Sequence, residues 1–308
     1  MSFTAKPKFY MPGIGGSLLI ILVMIVVGSI LAAIAAVAIG IASGNMDPSS
    51  LAQGLTGNLS LMYFLQMIAP IGFIWLVGNY RSYNPMISPV KINAPHIGKF
   101  NIITLGIVLL VLTIACSWVL DPISSFFPMP DNFKQMFSSI GENFWDTVIS
   151  VAVLAPLMEE FVLRGTIERG MLTRYSAAGA ILWSSFVFAA IHMNLWQAIP
   201  AFALGCVFGW VYYRSHSIWA VIFMHFVNNF SSIMMFRIFP GMDPDATSRE
   251  NIAALTGSDT TYWVLIAGGA VLLVICILLL NKYLPKNPQS FKPKKPFLTG
   301  EETLATDA

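Results

Sequence analysis

Apolar runs long enough to cross a membrane recur along almost the whole chain, and polar residues are confined to the stretches between them. A helix rising 1.5 Å per residue needs about 20 residues to cross roughly 30 Å of hydrocarbon. On that measure the pattern predicts eight spans, at about 14–42, 59–77, 102–120, 144–163, 177–193, 198–213, 218–236 and 262–280. The expected fold is an all-α, polytopic bundle of eight transmembrane helices. The first run follows Lys6 and Lys8 but is too long for a signal-peptide core, and Gly40-Ile41-Ala42-Ser43 is a weak cleavage site, so it is read as a membrane helix. The polar stretches 79–99, 121–143 and 241–261 are read as loops, too short to bury a core of their own. The aromatic segment Phe126–Phe137 is expected along the outer interface.

Composition agrees with the pattern. The chain has 308 residues, 56% of them hydrophobic and 10% charged, against about 25% charged in ordinary globular proteins. Charge placement sets the expected orientation. The N-terminal tail, every second loop and the C-terminal tail together hold 14 of the 17 Lys and Arg residues. Cytoplasmic segments are enriched in those residues, so both termini are expected in the cytoplasm. The short loops and strong asymmetry point to a multi-pass protein of a bacterial cytoplasmic membrane. The tail with Lys286, Lys292 and Lys294 reads as a disordered segment contacting anionic membrane lipid, not nucleic acid. Cys116, Cys206 and Cys276 each stand alone in an apolar run, which excludes a disulfide framework or a thiolate metal site.

The chemistry is concentrated in the second half. Glu159, Glu160, His192 and His225 are ionisable residues within the expected spans, all in the second half, and the first three helices carry only scattered Ser, Thr and Gln66. Ionisable groups at membrane depth cost about 2.5–3.5 kcal/mol each and mark functional sites by default. The chain is therefore divided into a three-helix supporting region (1–143), a core of helices four to seven (144–238), and a last helix with its basic tail (239–308). Glu160 and Arg164 stand four apart, the better order for a helical ion pair; a purely charge-neutralising role and a functional one both fit. That pair leaves Glu159 without a sequence-local partner. Glu168, Arg169 and Arg174 are read as solvated surface. Asn228 and Asn229 suit bonds to carbonyls of neighbouring helices.

These groups can act together only at one depth. Glu159 would lie near the cytoplasmic end of its run and His192 near the outer end of the next. The conflict disappears if the fourth helix continues past Arg164 to Thr173, with the hairpin turning near Arg174–Ala178. Counted from Tyr175, Glu159 then lies about 24 Å and His192 about 26 Å along neighbouring helices. His225 and Asn229 share a face of the seventh helix, about 15–21 Å above its turn. An opening to the cytoplasm, to lipid or to both fits the sequence, and the depth argument favours the cytoplasm.

Read together, the chain carries Glu159-Glu160-x-x-x-Arg164, then Phe188-x-x-x-His192, then His225-x-x-x-Asn229, each on its own helix. In this order and spacing it resembles the CPBP family, also called the Abi or CAAX-protease-like family of intramembrane proteases, over about Trp145–Phe236. The resemblance implies a peptidase related to type II CAAX prenyl endopeptidases, acting on a hydrophobic or lipidated peptide. For bacterial relatives it implies peptide processing, bacteriocin immunity or envelope signalling. It implies a water held between Glu159 and His192, an oxyanion site at His225 and Asn229, Glu160 and Arg164 as orienting groups, and Phe188 as a pocket wall. No cofactor is favoured; Zn on Glu159, His192 and His225 stays open, although the chain lacks a His-Glu-x-x-His helix. The rival readings are a catalytically silent scaffold or regulator and a proton-coupled transporter, the latter lacking the internal repeats many transporters show.

Overall fold

The computed structural model describes residues 10–44, 47, 59–80, 90–138, 144–239 and 241–286. The basic tail beyond Lys286 lies outside them. All regular structure among the described residues is helical: α1 (Ile14–Ser43), α2 (Leu59–Tyr80), α3 (Ile102–Ser124), α4 (Asp131–Ser138), a continuous α5 over 144–172, α6 (Ala177–Ala190), α7 (Leu195–Ser215), α8 (Ile218–Ile238), α9 (Ser248–Thr256) and α10 (Asp259–Tyr283). Each of the eight apolar runs is helical, so the chain is an all-α, polytopic membrane protein. Five helices, α1, α3, α7, α8 and α10, are long and apolar enough to cross a membrane unaided. The apolar parts of α2 and α6 are shorter, at Tyr63–Gly78 and Ala177–Ala190, and α5 carries the charges.

α5 runs through Arg164 to Leu172, and the chain turns over 173–176 before Ser176 caps α6 by accepting from the Gly179 amide. The long fourth helix required by the depth argument is thus present. It is not uniform. Val148–Leu154 and Leu163–Glu168 are π-helical, on either side of an α-helical Ala155–Val162. Pro156 has no N–H to give and crowds the preceding turn; the widened turn absorbs it, and the Ala155 amide bonds the Ser150 carbonyl. Such π-turns inside α-helices gather at functional sites, and here they flank the Glu pair.

Two segments of the expected loops are ordered. α9 begins with a capping box, in which Thr247 and Glu250 satisfy each other's backbone amides. α4 places Phe137 stacked on Phe236 at 4.2 Å and Phe133 beside Trp196 at 5.4 Å between ring centres. It therefore packs on the bundle, forming a small second core with Val148 and Ile233.

The segments rich in Lys and Arg meet at one end. Arg169 donates to the carbonyls of Tyr10 (3.0 Å) and Val90 (2.7 Å). The His216 ring bonds the Lys91 carbonyl at 2.6 Å, and Arg214 donates to the Leu284 carbonyl at 2.8 Å. The N-terminal stretch, the 90–101 segment, the α7–α8 turn and the end of α10 thus share one end of the bundle, called the basic end below. Both ends of the described chain lie there, as an even number of crossings requires.

Close backbone packing at this end leaves no room for a side chain at Gly170. A Cβ on Gly170 would stand 2.6 Å from the Pro12 backbone nitrogen. Helix propensity favours alanine by up to about 1 kcal/mol, but overpacking against backbone costs about 1–3 kcal/mol, so the clash decides the sign. Gly170→Ala is expected to lower the thermal unfolding midpoint in detergent, whereas Gly106→Ala, whose added Cβ meets nothing within 4 Å, leaves it unchanged or higher.

Candidate active site

The seven residues picked out in the sequence lie together. Glu159 and Glu160 follow each other on the α-helical part of α5, and both are buried. One Glu160 oxygen, Oε1, accepts from Arg164 Nη1 at 2.9 Å and lies 2.9 Å from His225 Nδ1. His225 Nε2 lies 3.8 Å from Glu159 Oε2. The imidazole therefore bridges two adjacent carboxylates, and its Nδ1 carries a hydrogen because the carboxylate it faces only accepts.

Phe188 ties the helices at one level. Its ring meets His192 at 5.0 Å and His225 at 5.4 Å, both edge-on, and the Arg164 guanidinium lies over it at 5.0 Å. His192 follows the end of α6, with Nδ1 2.7 Å from the Phe188 carbonyl. Nδ1 is the donor there, so in the neutral ring Nε2 keeps its lone pair. The turn after it is locally built: Met193 adopts φ 53°, unusual for a non-glycine residue, and Asn194 donates to the His192 carbonyl at 2.8 Å while capping α7.

Asn229 donates to the Val151 carbonyl at 2.8 Å and accepts from Asn228 at 3.0 Å; Asn228 in turn accepts from Ser117 at 2.8 Å. An amide NH₂ has two hydrogens, so one N–H of Asn229 remains for a ligand.

Several participants were not read from the sequence. The Tyr63 hydroxyl on α2 donates to Glu159 Oε1, so the expected supporting region reaches the site. Its signal was only a tyrosine inside an apolar run. Glu168 and Arg169, expected on the surface, are 0% and 1% exposed. Glu168 Oε2 accepts from Ser184 at 2.7 Å and lies 3.8 Å from Arg164 Nε. The helix extension that levels the site also carries these charges into the bundle, which is why the surface reading fails. Arg174 is exposed, as expected.

Glu159, Phe188, His192, His225 and Asn229 line a cavity of about 1370 Å³. Glu160 and Arg164 lie behind its wall. The cavity opens away from the basic end. The cavity rises between α3, α5 and α8 toward segments 121–137 and 242–251, and none of the described residues of the basic end lines it. α6 causes this: its 14 residues rise only about 21 Å, so the α6–α7 tip at His192–Asn194 stops short and leaves the space above it open.

Among the described residues, no three His, Cys, Asp or Glu side chains are grouped to hold one ion. Glu159, His192 and His225 do not form such a group, and His225 Nδ1 is directed at Glu160.

The part of the sequence that builds this site has relatives among known proteins. Residues 141–231 match the family described as type II CAAX prenyl endopeptidase Rce1-like. A curated relative, "Putative membrane peptidase YdiL" of Bacillus subtilis (strain 168), is 28% identical over 88 residues. That match spans 29% of this chain and 36% of the relative. No solved structure matches the chain. The matched segment holds all seven residues, and over it the chain is similar to the type II CAAX prenyl endopeptidase Rce1-like family.

Proposed function

We propose that the chain is a membrane-embedded endopeptidase that hydrolyses a peptide bond in a hydrophobic or lipidated, membrane-associated substrate. The observation that carries this is the His225 imidazole set between Glu160 and Glu159, with His192 facing the same cavity. A water between Glu159 and His192 gives its proton to Glu159 as its oxygen attacks the peptide carbonyl carbon. His192 accepts the water's second O–H at Nε2, the nitrogen its bond to the Phe188 carbonyl leaves open. The oxyanion is met by the remaining Asn229 N–H and by an Nε2–H of His225. Collapse breaks the C–N bond, and Glu159 returns its proton to the leaving amine. Glu160, Arg164 and Phe188 position His225 and the α5 carboxylates and take no proton. No step uses a metal.

The test is cleavage of hydrophobic and lipidated peptides by purified protein, wild type beside His192→Ala, with and without a chelator. The expected result is cleavage that survives thorough chelation and falls about 10²-fold in His192→Ala, the scale of losing the group that orients the attacking water. Cleavage abolished by chelation and restored by zinc would overturn the metal-free mechanism. Equal cleavage by both proteins would remove the site.

A further inference from the structure

We infer that the cavity is loaded from the face of the membrane opposite the basic end, the outer face, by an apolar peptide with a cationic flank. The direction follows from the shape of the cavity and the distribution of charge; only the word substrate rests on the peptidase reading above.

Among the described residues the basic end is closed. Arg169 is 1% exposed and spends its guanidinium on the Tyr10 and Val90 carbonyls. The amides of Ala94 and His96 bond the carbonyls of His216 and Ser215 at 3.0 and 2.7 Å, which seals the 90–97 segment over the α7–α8 turn. None of residues 90–101, 164–176, 213–217 or 283–286 lines the cavity. At the other end the lining includes exposed positions, among them Phe126, Ser232 and Asp245. The bundle is a cup, with Glu159 and His225 at its floor and its mouth away from the Lys- and Arg-rich segments. Those segments mark the cytoplasmic side, so the mouth faces out.

The wall selects what enters. Between floor and mouth stand Trp118, Phe127, Met129, Phe133, Met136 and Phe236. Aromatic and methionine side chains present apolar surface that adapts to varied partners. The charged groups lining the cavity above the floor are Asp121, Asp146 and Asp245 against Lys134, and Lys134 already lies 2.5 Å from Asp245. The excess is negative and favours a cationic segment next to the apolar one.

The experiment reads sidedness without relying on activity. In the full-length protein in its own membrane, Ser232→Cys and Asp245→Cys report the mouth and Tyr175→Cys, at the exposed α5–α6 turn, reports the basic end. Wild type supplies the background from Cys116, Cys206 and Cys276, the first and last of which are buried. In intact cells a membrane-impermeant maleimide is expected to label both mouth variants, and Tyr175→Cys only after permeabilisation, which also verifies insertion. Two mouth reporters keep the test standing if one variant does not insert. The reverse pattern overturns the inference. A second arm adds Lys-flanked or Glu-flanked apolar peptides outside sealed right-side-out vesicles, or traps them within. Faster loss of the external Lys-flanked peptide supports the assignment. Cleavage of trapped peptide alone overturns the direction, and preference for the Glu-flanked peptide overturns the flank. Outward labelling with no cleavage on either side refutes the peptidase reading and keeps the outward opening.

Discussion

Glu159→Gln is expected to abolish peptide hydrolysis while leaving the bundle folded. The Tyr63 hydroxyl donates to Glu159 Oε1, and the carbonyl oxygen of glutamine accepts that bond equally well, so α2 and α5 stay joined. An amide, however, takes no proton from water. If Glu159 is the base, the catalysed rate falls by about 10²–10⁴-fold, with the thermal midpoint of the same preparation close to wild type. The neighbouring carboxylate supplies the contrast. Glu159 lines the cavity and Glu160 does not; Glu160 instead holds Arg164 and His225. Glu160→Gln weakens both contacts and is expected to lower the thermal midpoint together with kcat, where Glu159→Gln moves kcat alone. The measurement is kcat and unfolding midpoint on both variants with one peptide substrate. A Glu159→Gln protein within a few-fold of wild-type kcat would remove the residue from the chemistry.

How far the sequence carries depends on where each partner lies. Apolar runs report burial in lipid by length alone, so each helical span is legible. The level of Glu159 and His192 is legible too, because four costly ionisable groups must share their solvation, and that demand lengthens α5 beyond its apolar part. The partners of Arg169 are carbonyls of Tyr10 and Val90, 159 and 79 residues away. Any residue supplies a carbonyl, so no side-chain pattern announces it, and a charge beyond the apolar run then reads as solvated. Tyr63 is obscured for the same reason, its partner being 96 residues distant. The opening of the cavity depends on how far α6 rises, and its apolar run continues to Met193 although the helix stops at Ala190. α9 was within reach, since Thr247 and Glu250 are a capping box at the required spacing. It is short and polar, and hydropathy does not register it.

Arg164 joins the site to the bundle, and its loss is expected to cost more stability than any other single change in α5. The guanidinium is fully buried. It contacts Glu160 at 2.9 Å and Glu168 at 3.8 Å, donates to the Gly205 carbonyl at 3.0 Å, and lies over Phe188 and Phe208 at 5.0 and 5.7 Å. Removing one member of a buried charge network leaves the others uncompensated, at about 3–5 kcal/mol. Arg164→Met therefore strands two carboxylates in the membrane interior, although its volume fills much of the space. Arg164→Lys keeps the charge but not the planar fork that reaches a carboxylate and a carbonyl together while stacking on two rings, so it is expected to recover only part of the loss. The decisive variant removes charge from both sides. Arg164→Met with Glu160→Gln and Glu168→Gln buries no unpaired ion, and neutral replacements of buried ionic clusters are often neutral or stabilising. Its thermal midpoint should return toward wild type while hydrolysis stays low, because His225 loses the carboxylate at Nδ1. A midpoint unchanged in Arg164→Met alone would show that Glu160 and Glu168 do not depend on this cation. A triple variant no more stable than Arg164→Met would assign the cost to lost packing and the lost Gly205 bond instead of to stranded charge.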